Sequence, residues 1–201
     1  MPLEYLVLGA SYGFAAAVQP GPLQAYHVSQ TMTSGWRRTL PAAFAPLASD
    51  APIVALVLVL LTRMPPTLLR VLQAMGGVFL LYLAYGAFRS ARHYAEAVSA
   101  PAPARVTFVK AVIMNLFNPN PYLAWTLVLG PLLLRAWHES VASGVTLVAA
   151  FYLTMVMGMA GMVLLLGAAR SLGARVARGL VGVSAAALGA FGVYQLWAAA
   201  R

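Results

Sequence analysis

Long apolar stretches separated by short basic segments run along almost the whole chain. Reading from one charged segment to the next gives six such stretches, at residues 5–36, 39–62, 71–88, 111–134, 140–169 and 179–200. A membrane-spanning helix needs about 20 mostly apolar residues. The pattern therefore predicts an all-α polytopic membrane protein with six transmembrane helices, arranged as a single transmembrane domain over residues 1–201.

Proline-rich segments interrupt the first and the fourth of these stretches. Residues 19–22 read Gln-Pro-Gly-Pro, and residues 118–121 read Asn-Pro-Asn-Pro. Proline cannot donate a backbone hydrogen bond, and its ring clashes with the preceding helical turn. The first and fourth helices are therefore predicted to be broken at these P-x-P motifs, each into two half-helices.

The two motifs also suggest an internal duplication. Pro119 and Pro121 lie 99 residues after Pro20 and Pro22. Each motif opens a group of three stretches, and three crossings per group would invert the second group in the membrane. Inverted repeats with broken helices are a known transporter plan. The predicted organisation is repeat one at 1–88, a polar linker at 89–105 and repeat two at 106–201.

Composition and charge narrow the class of protein. The chain is 62% hydrophobic and only 8% charged, against about 25% charged residues in soluble domains. So few charged residues exclude a soluble enzyme. A nucleic-acid-binding domain is excluded as well, because the basic residues flank apolar spans. With six crossings, nine Lys and Arg residues lie on the side of the odd-numbered loops and four on the other. The positive-inside rule then predicts an inner-membrane protein with both termini outside the cytoplasm.

The helix ends created by the two breaks are candidate binding groups. A restarting helix offers free N–H groups that attract a carboxylate, and an ending helix offers free carbonyls that attract an ammonium group. An amino acid carries both charges. The predicted substrate-binding residues are Gln19, Pro20, Gly21, Pro22, Gln24, Asn115, Asn118, Pro119 and Asn120. The alternative is that the side-chain amides only satisfy the broken backbone.

Asp50 is the sharpest single signal in the sequence, because it is the only acid well inside a predicted span. A membrane-buried charge costs at least a few kcal/mol and commonly marks a functional site. Together with Ser49, Asp50 is predicted to hold a substrate ammonium or to take and release a proton. The alternative is a structural hydrogen bond to a neighbouring helix. No metal site and no cofactor are predicted, and the absence of cysteine excludes disulfides and thiolate ligands.

Other residues carry weaker expectations. His27 could face the same cavity or a packing interface. The small residues within the spans predict close helix packing, and a homodimer interface is a further partner hypothesis. Aromatic residues predict interfacial belts, formed by Tyr5, Trp36, Trp125, Trp137 and Trp197, although Trp125 lies close to the second break.

The motifs together resemble the LysE/RhtB family of amino-acid exporters. The first half matches its signature through Gly13, the segment 20–22, Gly35 and Asp50. The second half matches its N-x-x-N-P element at residues 115–119. The resemblance implies proton-driven export from the bacterial cytoplasm. The core positions that it implies are Pro20, Gly21, Pro22, Asp50, Asn118 and Pro119.

This sequence departs from the family pattern at two positions next to the proposed site. Many members have lysine where this chain has Asn120, and many have glycine where it has Ser49. Both departures bear on the identity of the substrate more than on the fold.

The functional prediction is a secondary active exporter of amino acids across the cytoplasmic membrane, acting as a proton antiporter. The partners expected are an amino acid, protons and membrane lipid, with no nucleic acid. The alternatives are an exporter of another small metabolite or cation, and a passive channel or structural membrane subunit. An intramembrane enzyme is disfavoured because an aspartyl hydrolase needs two facing acids, whereas the predicted spans contain one well-buried acid.

Overall fold

The computed structural model describes residues 2–59 and 66–200, and the regular structure in these ranges is helical. The α-helices are α1 Pro2–Val18, α2 Pro22–Ser34, α3 Trp36–Thr39, α4 Ala45–Val59, α5 Pro66–Arg92, α6 Tyr94–Ser99, α7 Ala104–Leu116, α8 Pro119–Ala124, α9 Gly130–Glu139, α10 Val141–Ala169 and α11 Ala174–Ala199. Short 3₁₀ turns at Leu40–Phe44 and Arg170–Leu172 and a π-helical turn at Trp125–Leu129 connect neighbouring helices.

Several helices have the length and composition of membrane spans. In the described part of the chain, four helical runs qualify, namely Trp36–Val57, Arg70–Arg92, Val141–Leu172 and Ala174–Ala199. A shorter apolar helix covers Leu3–Val18. These helices support the prediction of an all-α polytopic membrane protein. The six crossings and the inverted repeat stay predictions, and residues 60–62, Arg63 and Arg201, used in predicting spans and orientation, lie outside the described ranges.

The helix boundaries lie at the proline segments. Helix α1 ends at Val18, and α2 begins at Pro22 after an extended Gly21. Helix α7 ends at Leu116, and α8 begins at Pro119. Proline is favoured in the first turn of a helix, where no hydrogen-bond donor is needed, and is disfavoured in its interior. The same residues therefore end one helix and start the next.

Two pairs of helices pack closely through glycine. Helix α1 lies along α10, and α5 lies along α11. A Cβ atom on Gly13 would meet the backbone carbonyl oxygen of Phe151, and one on Gly9 would meet that of Leu147. Glycine thus sets the distance between α1 and α10.

Tyr5 does not belong to an interfacial belt, so the prediction for this residue was wrong. Its side chain is fully buried, and its hydroxyl donates a hydrogen bond of 2.7 Å to Glu139 Oε1. The contact joins the start of α1 to the end of α9. Trp36, Trp137 and Trp197 are exposed on the surface, as a belt requires.

A glycine substitution tests the α1–α10 contact. We expect Gly13→Ala to lower the midpoint of thermal unfolding in detergent, because the new methyl group meets backbone that cannot turn aside, at a cost of about 1–3 kcal/mol. The control is Gly161→Ala on α10, where an added Cβ meets nothing within 4 Å. Circular dichroism at 222 nm, the helical signal, measures both midpoints. Equal midpoints for the two variants would contradict the proposed packing constraint.

Candidate functional site

A cavity of about 290 Å³ lies where the two breaks meet α4 and α10. Asp50 lines it, together with most of the residues predicted from the breaks. Those that line it are Gln19, Pro20, Gly21, Pro22, Gln24, Asn115, Asn118 and Asn120. Pro119 is buried and Ser49 is buried, and neither belongs to this lining. The fold therefore brings two distant segments of the chain and Asp50 to one place.

Asp50 is held by hydrogen bonds from two other helices. Asn115 Nδ2 on α7 donates to Asp50 Oδ1 at 2.9 Å. The Tyr152 hydroxyl on α10 donates to Asp50 Oδ2 at 3.2 Å. Asp50 as a whole residue is only 4% exposed. Both of its oxygens are thus oriented by donors, which reduces the cost of keeping a charged carboxylate away from water.

Ser49 lies behind this contact and does not line the cavity. Its hydroxyl donates to the Ala45 carbonyl at 3.0 Å and accepts a hydrogen bond of 2.7 Å from Asn115 Nδ2. The two protons of the Asn115 amide are therefore shared between Ser49 and Asp50. Ser49 holds the Asn115 side chain in place, and a direct contact with a substrate is not part of this geometry.

Two of the predicted amides satisfy the broken backbone, which was the alternative for these residues. Gln24 Nε2 donates to the carbonyls of Ala16 and Ala17, at 3.1 and 3.3 Å, near the end of α1. Asn118 Oδ1 accepts a hydrogen bond of 3.1 Å from the backbone N–H of Asn120 and so caps α8. Their contribution to the cavity is to fix its walls.

The start of α2 gives the cavity a positive end. Gly21 is the N-cap residue, and no side chain caps the helix. The Ala25 N–H donates the first intrahelical hydrogen bond, to the Gly21 carbonyl. The N–H groups of Leu23 and Gln24 belong to the first turn, which has no intrahelical partners. Leu23 and Gly21 both line the cavity. The positive helix terminus and the Asp50 carboxylate therefore share one cavity.

Sequence reasoning missed the aromatic and methionine wall of the cavity, which Trp125 and one face of α10 form. Trp125 was assigned to an interfacial belt, but it is 3% exposed and lines the cavity. Its ring packs edge-on against Phe151 at 6.0 Å and is stacked on Tyr152 at 6.4 Å. Phe151, Met155 and Met159 recur every four residues on α10, which is the signal of one helix face. That spacing does not tell which part of the protein the face contacts.

His27 lies in a packing interface and does not line the cavity. Its side chain is fully buried on α2, and the backbone carbonyl of Ala42 is next to the ring. Of the two expectations for this residue, the structure agrees with packing.

Comparison with known families identifies the chain. The family described as LysE type translocator matches residues 14–198. The chain belongs to the LysE type translocator family. The matched range contains both proline segments, Asp50 and the aromatic wall, so the resemblance inferred from the motifs is confirmed. Comparison with curated proteins and with solved structures finds no match.

Membership of this family establishes the class of activity. A LysE type translocator is a transporter and not an enzyme. The family indicates membrane export of amino acids or similar small molecules. Together with the apolar helices, it makes this translocator a multi-pass membrane protein.

Two substitutions of Asn118 test the helix cap at the second break. We expect Asn118→Ala to lower the stability of the purified translocator by about 1 kcal/mol, because the N–H of Asn120 loses its acceptor. Asn118→Ser is the matched control, since serine caps a helix about as well as asparagine. Thermal unfolding in detergent measures both. A serine variant as unstable as the alanine variant would show that the cap does not stabilise α8.

Proposed function

We propose that this LysE type translocator is a secondary active exporter of amino acids in the cytoplasmic membrane of a prokaryote, and that it exchanges the substrate for protons. The observation that carries the proposal is the shared cavity of Asp50 and the α2 N-terminus. The two charged groups of a zwitterion can pair with the Asp50 carboxylate and with the positive helix terminus in this one cavity. A purely apolar solute can pair with neither.

In the proposed complex the amino acid lies between these two groups. Its ammonium group binds the Asp50 carboxylate, and its carboxylate accepts from the N–H groups at the start of α2. Asn115 and Tyr152 keep the acceptor oxygens of Asp50 in position. Gln19 and Asn120 lie at the exposed edge of the cavity and supply amides along the entry path.

Competition at one carboxylate is the proposed basis of coupling to protons. A protonated Asp50 has no charge with which to hold an ammonium group, and an Asp50 paired to an ammonium group resists protonation. Proton and substrate therefore bind in alternation. We suppose that the transporter switches between its inward-open and outward-open states only when Asp50 binds a proton or a substrate. Inward proton movement then drives outward amino-acid movement.

The proposed machinery is the inverted repeat with six crossings. In such a repeat, α7 corresponds to α1 and the helix containing α4 corresponds to α10. Helix α1 packs on α10, and α7 packs on α4, which supports this correspondence. The third helices of the two halves, α5 and α11, pack on one another. Rocking of one half against the other around the breaks would expose the cavity to each side in turn. The charge count supports termini outside the cytoplasm.

One observation favours a second candidate, the export of an organic amine or other cation by the same machinery. Among the described residues that line the cavity, Asp50 is the only carboxylate, and lysine, arginine and histidine are absent. A cation without a carboxylate would still bind Asp50 but would leave the α2 N-terminus without a ligand. A passive channel differs from both candidates in that its flux does not saturate.

Efflux from loaded cells tests the proposal. Cells that lack their own exporters are fed dipeptides, and amino acids in the medium are followed with and without an uncoupler. We expect the translocator to accelerate efflux in a saturable, uncoupler-sensitive way. Asp50→Asn should abolish this efflux, because a neutral amide neither exchanges a proton nor pairs with an ammonium group.

Glu96→Gln is the matched control, because Glu96 lies on the exposed helix α6 and should leave efflux unchanged. Gradient-driven efflux retained by the Asp50→Asn variant would remove the coupling role of Asp50. No efflux of any amino acid would reject amino acids as substrates and favour the amine or cation.

A further inference from the structure

The cavity next to Asp50 ends on a buried apolar wall that the proposed function does not use. Trp125 comes from the π-helical turn, and Phe151, Met155 and Met159 come from one face of α10. All four side chains are buried. The Trp125 and Phe151 rings pack edge to face, with Phe151 also 5.0 Å from the Tyr152 ring. The aromatic rings of the wall therefore pack against one another.

This wall, formed by four described residues, has no counter-ion for a charged group, and its one polar contact is that of the Trp125 side chain with Asp50. Among the described lining residues, the carboxylate of Asp50 has no second acid beside it and no lysine, arginine or histidine. Both Asp50 oxygens already accept from Asn115 and Tyr152. A second ammonium or guanidinium group on a substrate would be buried without a counter-ion. A second carboxylate would also be repelled by Asp50. Burial of an unpaired charge costs several kcal/mol.

Substrate orientation follows from the proposed function, on which this step rests. The ammonium and carboxylate groups of the amino acid occupy the space between Asp50 and the start of α2. The part of the cavity that is then left for the substrate side chain is the apolar wall. We propose that this translocator selects amino acids with an uncharged, apolar side chain of the size of leucine, methionine or phenylalanine, and that Phe151, Met155 and Met159 determine this specificity.

The size and composition of the wall set the breadth of the selection. At about 290 Å³, the cavity is at the low end of the volumes typical of small-molecule sites. Methionine side chains are flexible and adapt to different apolar shapes. The site therefore accepts several apolar side chains of similar size and does not select a single one.

Competition in proteoliposomes tests the proposed specificity on the wild-type protein. The purified full-length translocator is reconstituted, and counterflow of labelled leucine is measured with unlabelled leucine, methionine, phenylalanine, lysine or glutamate as competitor. We expect the three apolar amino acids to compete at concentrations roughly tenfold or more below those needed for lysine and glutamate, because a mismatched group in the pocket costs at least 1.4 kcal/mol.

Two methionines on α10 provide a matched pair of variants. Met155 faces the cavity, whereas Met157 is 64% exposed on the outer surface of the same helix. We expect Met155→Ala to raise the KM for leucine roughly tenfold, with a smaller change for phenylalanine, whose larger ring fills the space that is lost. Met157→Ala should leave both KM values unchanged. Thermal unfolding of both variants confirms that they are folded.

The outcomes separate the two proposals. Transport of lysine or glutamate as efficiently as leucine would overturn the apolar specificity and leave amino-acid export intact. Equal KM values for the two methionine variants would reject Met155 as a specificity determinant. If no amino acid is transported and an organic amine is, the proposed function fails and the side-chain specificity fails with it. The competition panel alone decides the question if Met155→Ala does not fold.

Discussion

The hydrogen bonds of the Asn115 amide are the contact on which the rest of the site depends. Asn115 lies on α7, and its amide donates to both Ser49 and Asp50 on α4. A carboxylate in a membrane needs donors, and bulk water is not there to supply them. Asn115 and Tyr152 provide those donors from two further helices. The carboxylate thus fixes the relative positions of α4, α7 and α10, and the same contact presents it to the cavity.

The breaks in α1–α2 and α7–α8 make room for this arrangement. A continuous helix has its backbone groups satisfied internally, whereas each break leaves free N–H and carbonyl groups in the middle of the protein. Gln24 satisfies part of the α1 end, and Asn118 caps the α8 start. The α2 start has no side-chain cap, and its residues Gly21 and Leu23 line the cavity. The first break therefore supplies the positive end of the cavity, and Asp50 on α4 supplies the negative end.

Close packing of α1 on α10 completes the cavity. Gly9 and Gly13 let α1 approach the α10 backbone, which brings the α1 residues of the lining near the face of Phe151, Met155 and Met159. Helix association in a membrane depends on such contacts, because apolar burial adds little between surfaces that lipid covers equally well. The positive end of the cavity and its apolar wall thus come from different physical causes, the first from a broken helix and the second from helix packing.

The sequence by itself determined the apolar helices, the helix boundaries at the two proline segments, the single acid well inside a predicted span and the family. These features depend on local rules: apolar length, the missing donor of proline and the cost of a charge in a span. Only the tertiary structure decided that Ser49 stands behind Asn115, that Gln24 turns back to α1, and that Trp125 and Tyr5 are buried. Each of these depends on which helix lies opposite, and residues more than one hundred positions apart, such as Asp50 and Tyr152, meet only when the helices pack.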